Sequence, residues 1–301
     1  MKHAYIIVTN SLSEVFLTCI KMLDHPLNDI YVLFDKKARL LDKSKNLMNS
    51  LRFANIFIYE QIVNWGGYSQ IEAVMYLLKQ VTSACTQYEY IHFFQGADLP
   101  IKSQEDIHQF FRIHTGKEFV SIEYDRKEMA KNKCRYIHLL CHNRFFRKNR
   151  LVKALNFGFV ALQKAFGINV NSDIEFYQGS ALFSITPQFA EYLVNQQREI
   201  RRIFRFSLAA DECFIQTMLL RSHFCDNVYI NAEGKTSNAR LIDRTRPDGK
   251  NSPHIWRDNE FETIKQQPVD ICFSRKFDTV RAPKIVKAIY EKYGNGVEDG
   301  R

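Results

Sequence analysis

Two aspartates stand directly after apolar, β-rich runs in the first third of the sequence. Asp35 closes the run 30–34, and Asp98 follows the run 90–94. In a mostly parallel sheet, ligands bind at the carboxyl ends of the strands. The two positions therefore predict a sheet edge where polar side chains hold a ligand.

Common nucleotide-binding and hydrolase motifs are missing from the sequence. It contains no G-x-G-x-x-G, G-x-x-x-x-G-K-[ST], G-x-S-x-G or H-E-x-x-H, so dinucleotide-binding, P-loop, serine-hydrolase and zincin functions lose their support. Asp-x-Asp is also missing at the ends of the early strands. Because a metal-dependent sugar-nucleotide transferase needs hard carboxylate ligands, we expect neither a metal nor another cofactor.

Seven short segments stand out along the chain. In order, they are DKKA (35–38), WGGYSQIEA (65–73), YIHFFQGADLPIKS (90–103), GSALF (179–183), DECFIQT (211–217), NARLID (238–243) and FSRKFD (273–278). The third contains the pattern G-x-D-x-P-[IL]-K-[ST], and the fifth fits D-E-x-x-x-x-T. One such segment is weak evidence, whereas the ordered set is specific.

Together these segments resemble the core-2/I-branching β-1,6-N-acetylglucosaminyltransferase family, which also contains peptide O-xylosyltransferases. The resemblance covers about four-fifths of the chain. It implies a GT-A fold, that is, an α/β unit with a mostly parallel sheet flanked by helices. It also implies inverting, metal-independent transfer from a UDP-sugar, with a nucleotide-binding half and an acceptor half in a single compact unit.

Glu212 matches the general base of the family. Inversion at the anomeric carbon is a single displacement, which requires one base within hydrogen-bond reach of the acceptor hydroxyl. The alternative is an acid at a helix start that only interacts with the helix dipole. Asp211 fits a helix cap. The xylosyltransferases have an aspartate base after Gly-Ser, and Ala181 stands at that position here, which favours Glu212.

Five residues are predicted to bind the donor. Without a metal, the charge that develops on the departing UDP needs fixed cations, and Arg240 and Lys276 match the family positions that supply them. The alternative is a surface arginine and a solvated lysine. Asp35, Ser69 and Asp98 are the other donor-side candidates, although Asp98 could equally brace its own turn.

Glu123 and Arg135 resemble the acidic and basic residues that contact the acceptor sugar in the branching enzymes. Their spacing is one residue longer than the family pattern, and Tyr136 replaces the adjoining tryptophan, so the acceptor stays open between a free and a lipid-linked saccharide. UDP-N-acetylglucosamine is the first choice of donor by resemblance. UDP-xylose, UDP-galactose and other UDP-sugars are the alternatives.

The charge of the chain allows two further function classes. The excess of 42 Lys and Arg over 33 Asp and Glu gives a net charge of +9, which favours polyanionic partners. A nucleic-acid-binding protein without catalysis is one alternative, although the ordered motifs lead us to expect no nucleic acid. A glycoside hydrolase is the other, but it needs paired acids and has no use for Arg240 and Lys276.

Elements that position these residues follow from the apolar spacing. The first third predicts strands at 4–8, 30–35, 56–59 and 90–94 and helices at 13–23, 37–51 and 69–81, and the rest a strand at 119–124 and helices at 151–166 and 211–221. This alternation predicts a mostly parallel sheet. We divide the chain into a donor-binding half (1–118), an acceptor and catalytic half (119–293) and a flexible tail (294–301).

Residues 144–166 join a basic aromatic segment to an apolar helix, and they could lie on an anionic membrane. The alternative is a core helix with a solvated basic loop. No apolar run is long enough to span a bilayer, and the N-terminus lacks signal-peptide features. Seven cysteines without Cys-x-x-Cys favour reduced thiols. We expect a cytoplasmic protein, with peripheral contact at the inner membrane face.

Overall fold

A computed structural model describes residues 1–142, 145–146, 149–246, 248 and 252–294, without the side chains of residues 48 and 49. The predicted tail, apart from Gly294, lies outside these residues, and so do Arg144, Arg147 and Lys148 of the basic aromatic segment. The chain divides into two compact units: unit 1 comprises 1–60, 85–116 and 239–301, and unit 2 comprises 61–84 and 117–238.

Eight strands and eleven α-helices are present in the residues that the structure describes. The strands are β1 (Lys2–Thr9), β2 (Asn28–Asp35), β3 (Asn55–Gln61), β4 (Tyr88–Gln95), β5 (Leu99–Pro100), β6 (Ser184–Ile185), β7 (Arg240–Ile242) and β8 (Phe273–Arg275). The helices are α1 (Glu14–Met22), α2 (Leu41–Ser44), α3 (Ser69–Thr82), α4 (Gln104–Ile113), α5 (Lys127–Cys134), α6 (Arg150–Ala165), α7 (Pro187–Asn195), α8 (Gln197–Phe204), α9 (Phe214–Leu220), α10 (Phe261–Lys265) and α11 (Pro283–Tyr293).

The central sheet of unit 1 is parallel around its first strand. β1 lies between β2 and β4 and pairs in parallel with both, and β3 flanks β2. β2 and β4 are each buried at seven successive positions, as expected for strands that are covered on both faces. The predicted α/β fold with a mostly parallel sheet flanked by helices is therefore confirmed.

A smaller sheet in unit 1 joins three of the seven motif segments. β8 lies between β5, which is antiparallel to it, and β7, which is parallel. Ser274 of β8 pairs with Leu99 on one side and with Leu241 on the other. Segments 90–103, 238–243 and 273–278 thereby meet although they are far apart in sequence.

Unit 2 is mainly helical. The apolar face of α3, which includes Ile71, Val74 and Leu78, is buried as its spacing predicts, and α3 packs against α7. Thr186 caps α7 by accepting a hydrogen bond from the backbone N–H of Phe189 at 3.2 Å, and a proline occupies the first turn. Both features are typical helix-start signals.

Two predicted elements are wrong. The helix at 37–51 is broken into 3₁₀ turns at Lys36–Ala38 and Lys45–Asn49 around the short α2. Arg39 adopts a φ of 53°, a left-handed conformation that ends the first turn. The strand at 119–124 keeps only isolated bridges, including one from Phe119 to Ser184, because its remaining residues find no continuous strand to pair with.

The two units are not consecutive halves of the chain. A unit boundary between residues 116 and 117 lies close to the predicted one at 118, but 61–84 belongs to unit 2 and 239–301 to unit 1. The predicted halves were assigned by donor and acceptor roles, and those roles stay predictions.

Three buried histidines form a cluster in unit 1. The ring of His3 lies 4.9 Å from that of His92 and 3.9 Å from that of His108, measured between centroids. Burial lowers the pKa of all three imidazoles, that of His108 to about 3, and neighbouring histidines and cations lower them further. The folded protein therefore keeps the cluster neutral.

We expect the free energy of unfolding to fall as the pH falls below about 6.5, the usual histidine pKa in an unfolded chain. Below that pH the unfolded chain binds protons that the folded cluster does not, so stability is complete above it and decreases by about 1.4 kcal/mol per histidine and pH unit. Denaturant midpoints between about pH 7.5 and 4.5 measure this. His108→Gln should make the dependence shallower, whereas His223→Gln, at an exposed position, should not.

Candidate active site

Asp35 lies at the carboxyl edge of the parallel sheet, as predicted. Its carboxylate accepts a hydrogen bond from the backbone N–H of Lys37 at 3.2 Å and lies 3.3 Å from Lys37 Nζ. These contacts cap the 3₁₀ turn Lys36–Ala38. Asp35 therefore shapes the first corner at this edge.

A tight turn after β4 places Asp98 at the same edge. A Cβ atom on Gly96 would lie 2.3 Å from Oγ1 of Thr9 at the end of β1, so a larger residue does not fit there without a shift. Asp98 is buried, and its Oδ2 accepts a hydrogen bond from the backbone N–H of Gln95 at 2.7 Å. The carboxylate thus braces its own turn, one of the two roles considered from the sequence.

Three cations surround the Asp98 carboxylate. Oδ1 lies 3.3 Å from Nε of Arg275, although the two atoms are not aligned as a hydrogen bond. Burial raises the pKa of Asp98, and Arg275, the Gln95 N–H, Arg240 and Lys276 oppose this shift by favouring the charged form. One buried acid therefore interacts with three positive side chains.

Arg240 is the most enclosed of the three cations. Its Nη2 donates to the carbonyl oxygen of Phe93 at 3.0 Å, and its guanidinium lies 5.0 Å from the ring centroid of Phe273 and 5.6 Å from that of Phe94. Burial lowers its pKa to about 9, with Asp98 as the main opposing influence, so it keeps its charge at neutral pH. The alternative of a surface arginine is wrong.

The backbone around Lys276 is held on two sides. Its N–H donates to His254 O at 3.3 Å, and its carbonyl accepts from Trp256 N at 3.0 Å. The next residue, Phe277, donates from its backbone to Ala97 O at 3.1 Å. Lys276 is half-buried, and these bonds fix its place beside the Asp98 turn.

Glu212 lies in unit 2, at the end of the 3₁₀ turn Ala210–Glu212 that precedes α9. Its side chain is half-buried, and Lys133 Nζ donates to Oε2 at 2.6 Å. Burial opposes the charge of Lys133, but Glu212 outweighs this effect and the pKa of Lys133 is raised. The carboxylate therefore has a cationic neighbour 79 residues away in sequence.

Asp211 does not cap the helix, in contrast to the prediction. The N-terminal cap of α9 is Cys213, which makes no side-chain hydrogen bond there. Oδ2 of Asp211 instead accepts from Nε2 of Gln70 at 2.9 Å. Burial and the adjacent Glu212 raise the pKa of Asp211 to about 7. This bond ties the turn to α3.

Two further motif segments meet the Glu212 turn within unit 2. The backbone N–H of Gly179 donates to Glu212 O at 2.9 Å, and that of Ala209 donates to Gly66 O at 2.8 Å. A Cβ atom on Gly179 would lie 1.9 Å from Ser121 O, so this position requires glycine. Segments 65–73, 179–183 and 211–217 are therefore neighbours in space.

Ser69, the remaining donor-side candidate, starts α3. Its Oγ accepts a hydrogen bond from the backbone N–H of Asn64 at 2.7 Å. The hydroxyl also lies 3.4 Å from Asn64 O, to which it donates. Ser69 therefore closes the loop 64–69 in unit 2, whereas Asp35, Asp98, Arg240 and Lys276 belong to unit 1.

The two predicted acceptor residues each have local partners. Glu123 Oε2 lies 2.9 Å from Nε of Arg126. Arg135 Nη2 lies 3.3 Å from Ile174 O and 3.4 Å from Ser172 O. These contacts hold both side chains in unit 2, and their role toward an acceptor stays a prediction.

Two charged residues near these sites were missed by the sequence analysis. Lys133 carries no local signal, because its partner Glu212 is remote in sequence. Arg275 stands beside Lys276 in the FSRKFD segment, so its position was visible, but its ion pair with Asp98 and its 2.8 Å bond to Gln95 Oε1 were not. Both residues set the charge around the predicted ones.

Within the described ranges, no three His, Cys, Asp or Glu side chains are arranged to hold a metal ion. The expected independence of metals stays a prediction. The seven cysteines are free thiols, as predicted. No helix in the described part of the chain has the length and apolar content needed to cross a membrane.

The fold and the edge residues define an α/β protein whose sheet ends present positive charge suited to an anionic ligand. The sequence model of the Core-2/I-Branching enzyme matches residues 3–265. The chain belongs to this family, and the resemblance drawn from the ordered motifs is confirmed.

Comparison with solved structures found S. aureus TarS. Its residues 1–349 in complex with UDP-GlcNAc match with 21% identity over 38% of this chain and 32% of that chain, at a TM-score of 0.27. Without ligand, the same fragment matches with 16% identity over 77% of this chain and 76% of that chain, at 0.28. The first match spans only about a third of TarS 1–349, and such TM-scores carry no argument. No curated protein matches the chain.

Proposed function

We propose that the protein is an inverting, metal-independent glycosyltransferase that moves a sugar from a UDP-sugar to a saccharide hydroxyl. Its family membership supports the reaction class. The observation that carries the proposal is the cluster of Arg240, Arg275 and Lys276 around the single buried acid Asp98. N-acetylglucosamine is the proposed sugar, and a free or lipid-linked saccharide is the proposed acceptor.

The cation cluster suits a diphosphate leaving group. Three positive side chains face one carboxylate, so two positive charges are left for an anionic ligand. When the bond between the anomeric carbon and the UDP oxygen breaks, its electron pair stays on the diphosphate. Fixed cations stabilise that charge in the transition state more than in the bound substrate. Arg240 and Lys276 are the proposed contacts, and Arg275 positions Asp98.

Glu212 is the proposed general base. The acceptor hydroxyl oxygen attacks the anomeric carbon as the bond to UDP breaks, and its proton passes to the Glu212 carboxylate. Lys133 is a positioning residue, because its Nζ holds Oε2 at 2.6 Å. Asp35 and Ser69 are proposed on the donor side, and Glu123 and Arg135 on the acceptor side.

Two measurements test the proposed function. UDP should raise the melting temperature more than AMP does, since a ligand at 100 times its Kd adds about 2.7 kcal/mol of stability. A screen of UDP-sugars with free and lipid-linked saccharides should then show acceptor-dependent UDP release. Equal responses to UDP and AMP, together with nucleic-acid binding that weakens steeply with salt, would support the nucleic-acid alternative.

Excess chelator is expected to leave the transfer rate unchanged. The physical reason is that Arg240 and Lys276 stand where a metal would otherwise neutralise the diphosphate. The measurement compares UDP release with and without EDTA, followed by addition of Mg²⁺ or Mn²⁺. Loss of activity in EDTA that one of these ions restores would show that carboxylates bind a catalytic metal.

A further inference from the structure

Polar side chains attach α6 to the rest of unit 2. Its buried residues are Asn156, Val160 and Gln163. The Gln163 amide accepts from the backbone N–H of Ile137 and donates to its carbonyl, both at 2.9 Å. Asn156 Oδ1 accepts from Leu140 N at 3.2 Å. These amide bonds determine which face of the helix turns inward.

The outward face of α6 and the residue after it are strongly apolar. Five large side chains repeat at intervals of three or four residues, which places them in one stripe on a helix. Their exposed fractions are 66% for Leu151, 57% for Leu155, 38% for Phe159, 58% for Leu162 and 75% for Phe166. A core helix would bury these side chains, so α6 differs from the core-helix alternative.

All of the net positive charge of the protein lies in the segment that contains α6. Residues 129–172 include nine Lys and Arg and no Asp or Glu, and the rest of the chain has 33 of each kind. On α6 itself the cations are Arg150, Lys153 and Lys164. An apolar stripe beside cations matches the boundary between anionic headgroups and acyl chains.

We propose that α6 docks the protein on an anionic lipid surface. The helix is 16 residues long, about 24 Å, and it would lie in the plane of the membrane with the stripe from Leu151 to Phe166 turned into the lipid. Arg150, Lys153 and Lys164 would contact lipid phosphates. A second copy of the chain is the less suitable occupant, because it would bring two segments of the same high charge together.

The test uses the full chain and sedimentation with lipid vesicles. Binding is measured to phosphatidylcholine vesicles with and without about 30% phosphatidylglycerol. Leu155→Glu/Leu162→Glu should weaken binding to the anionic vesicles at least tenfold, because both side chains would carry charge into the lipid. The matched control is Ile113→Glu/Val269→Glu, at positions in unit 1 that are 70% and 66% exposed, and it should bind like the original protein.

Further arms separate the outcomes. Arg150→Gln/Lys153→Gln and added salt should each weaken binding to anionic vesicles. Absence of binding to those vesicles, equal binding to pure phosphatidylcholine, or equal loss in the control would overturn the proposal. So would a dimer, seen by analytical ultracentrifugation without lipid, that the leucine variant dissociates. Vesicle binding requires no sugar transfer, so this test fails or succeeds independently of the proposed activity.

Discussion

Replacing Glu212 with glutamine is expected to lower kcat by about 10²- to 10⁴-fold while UDP affinity stays unchanged. Glutamine keeps the size of the side chain and can still contact Lys133, but it cannot accept the proton of the acceptor hydroxyl. Binding of UDP needs no base. The measurements are kcat from steady-state UDP release and UDP affinity from calorimetry.

The matched control for this variant is Glu128→Gln. Glu128 is also a glutamate paired with a lysine of α5, in this case Lys131, but the pair lies on the surface. Its loss should change kcat less than twofold, since exposed ion pairs contribute about 0 to 1 kcal/mol. If Glu212→Gln and Glu128→Gln turned over equally fast, Glu212 would not be the base.

The second large effect is expected at the cation cluster. Alanine at Arg240 or at Lys276 should weaken UDP binding and slow transfer by more than the loss of an exposed ion pair. Both side chains act on Asp98 and are proposed to share one diphosphate. Their effects should therefore not add, with a coupling of about 0.5 to 3 kcal/mol. A double-mutant cycle on kcat/KM and on UDP affinity measures this.

The folded state must be checked in this cycle. Arg240→Ala removes the donor to Phe93 O, which is an internal contact, so its melting temperature is recorded and Lys276→Ala serves as the cleaner single variant. Lys276→Arg should not restore full activity, because a planar fork does not replace a compact ammonium. Lys265→Ala, which removes an exposed pair with Glu262, is the control. Strict additivity, with each single variant within about 0.5 kcal/mol of the original protein, would leave the diphosphate without its proposed counter-charge.

Local patterns were sufficient for the central sheet. The apolar runs of β2 and β4 and the helical spacing of α3 predicted elements that the structure contains. The same patterns failed at 37–51, where a left-handed Arg39 interrupts the helix. Short-range spacing reports which face of an element is buried, but it does not report a backbone angle at one residue.

The candidate site was predictable only as far as its motifs were recognisable. The resemblance identified Asp98, Arg240 and Lys276 as members of one family pattern. That β8 brings two of their segments against β5 is a tertiary result, and so is the ion pair of Arg275 with Asp98. Charge interactions depend on distance in space, and separations along the chain do not encode them.

The sequence by itself determined the alternation of strands and helices, the order of the family motifs and the concentration of positive charge in residues 129–172. These properties are local or additive, so they can be counted along the chain. Only the tertiary structure decided that Lys133 lies beside Glu212 and that α6 turns its amides inward and its leucines outward. The physical reason is that the amides of Asn156 and Gln163 bond to backbone groups of 137–140, and helical spacing alone does not reveal such partners.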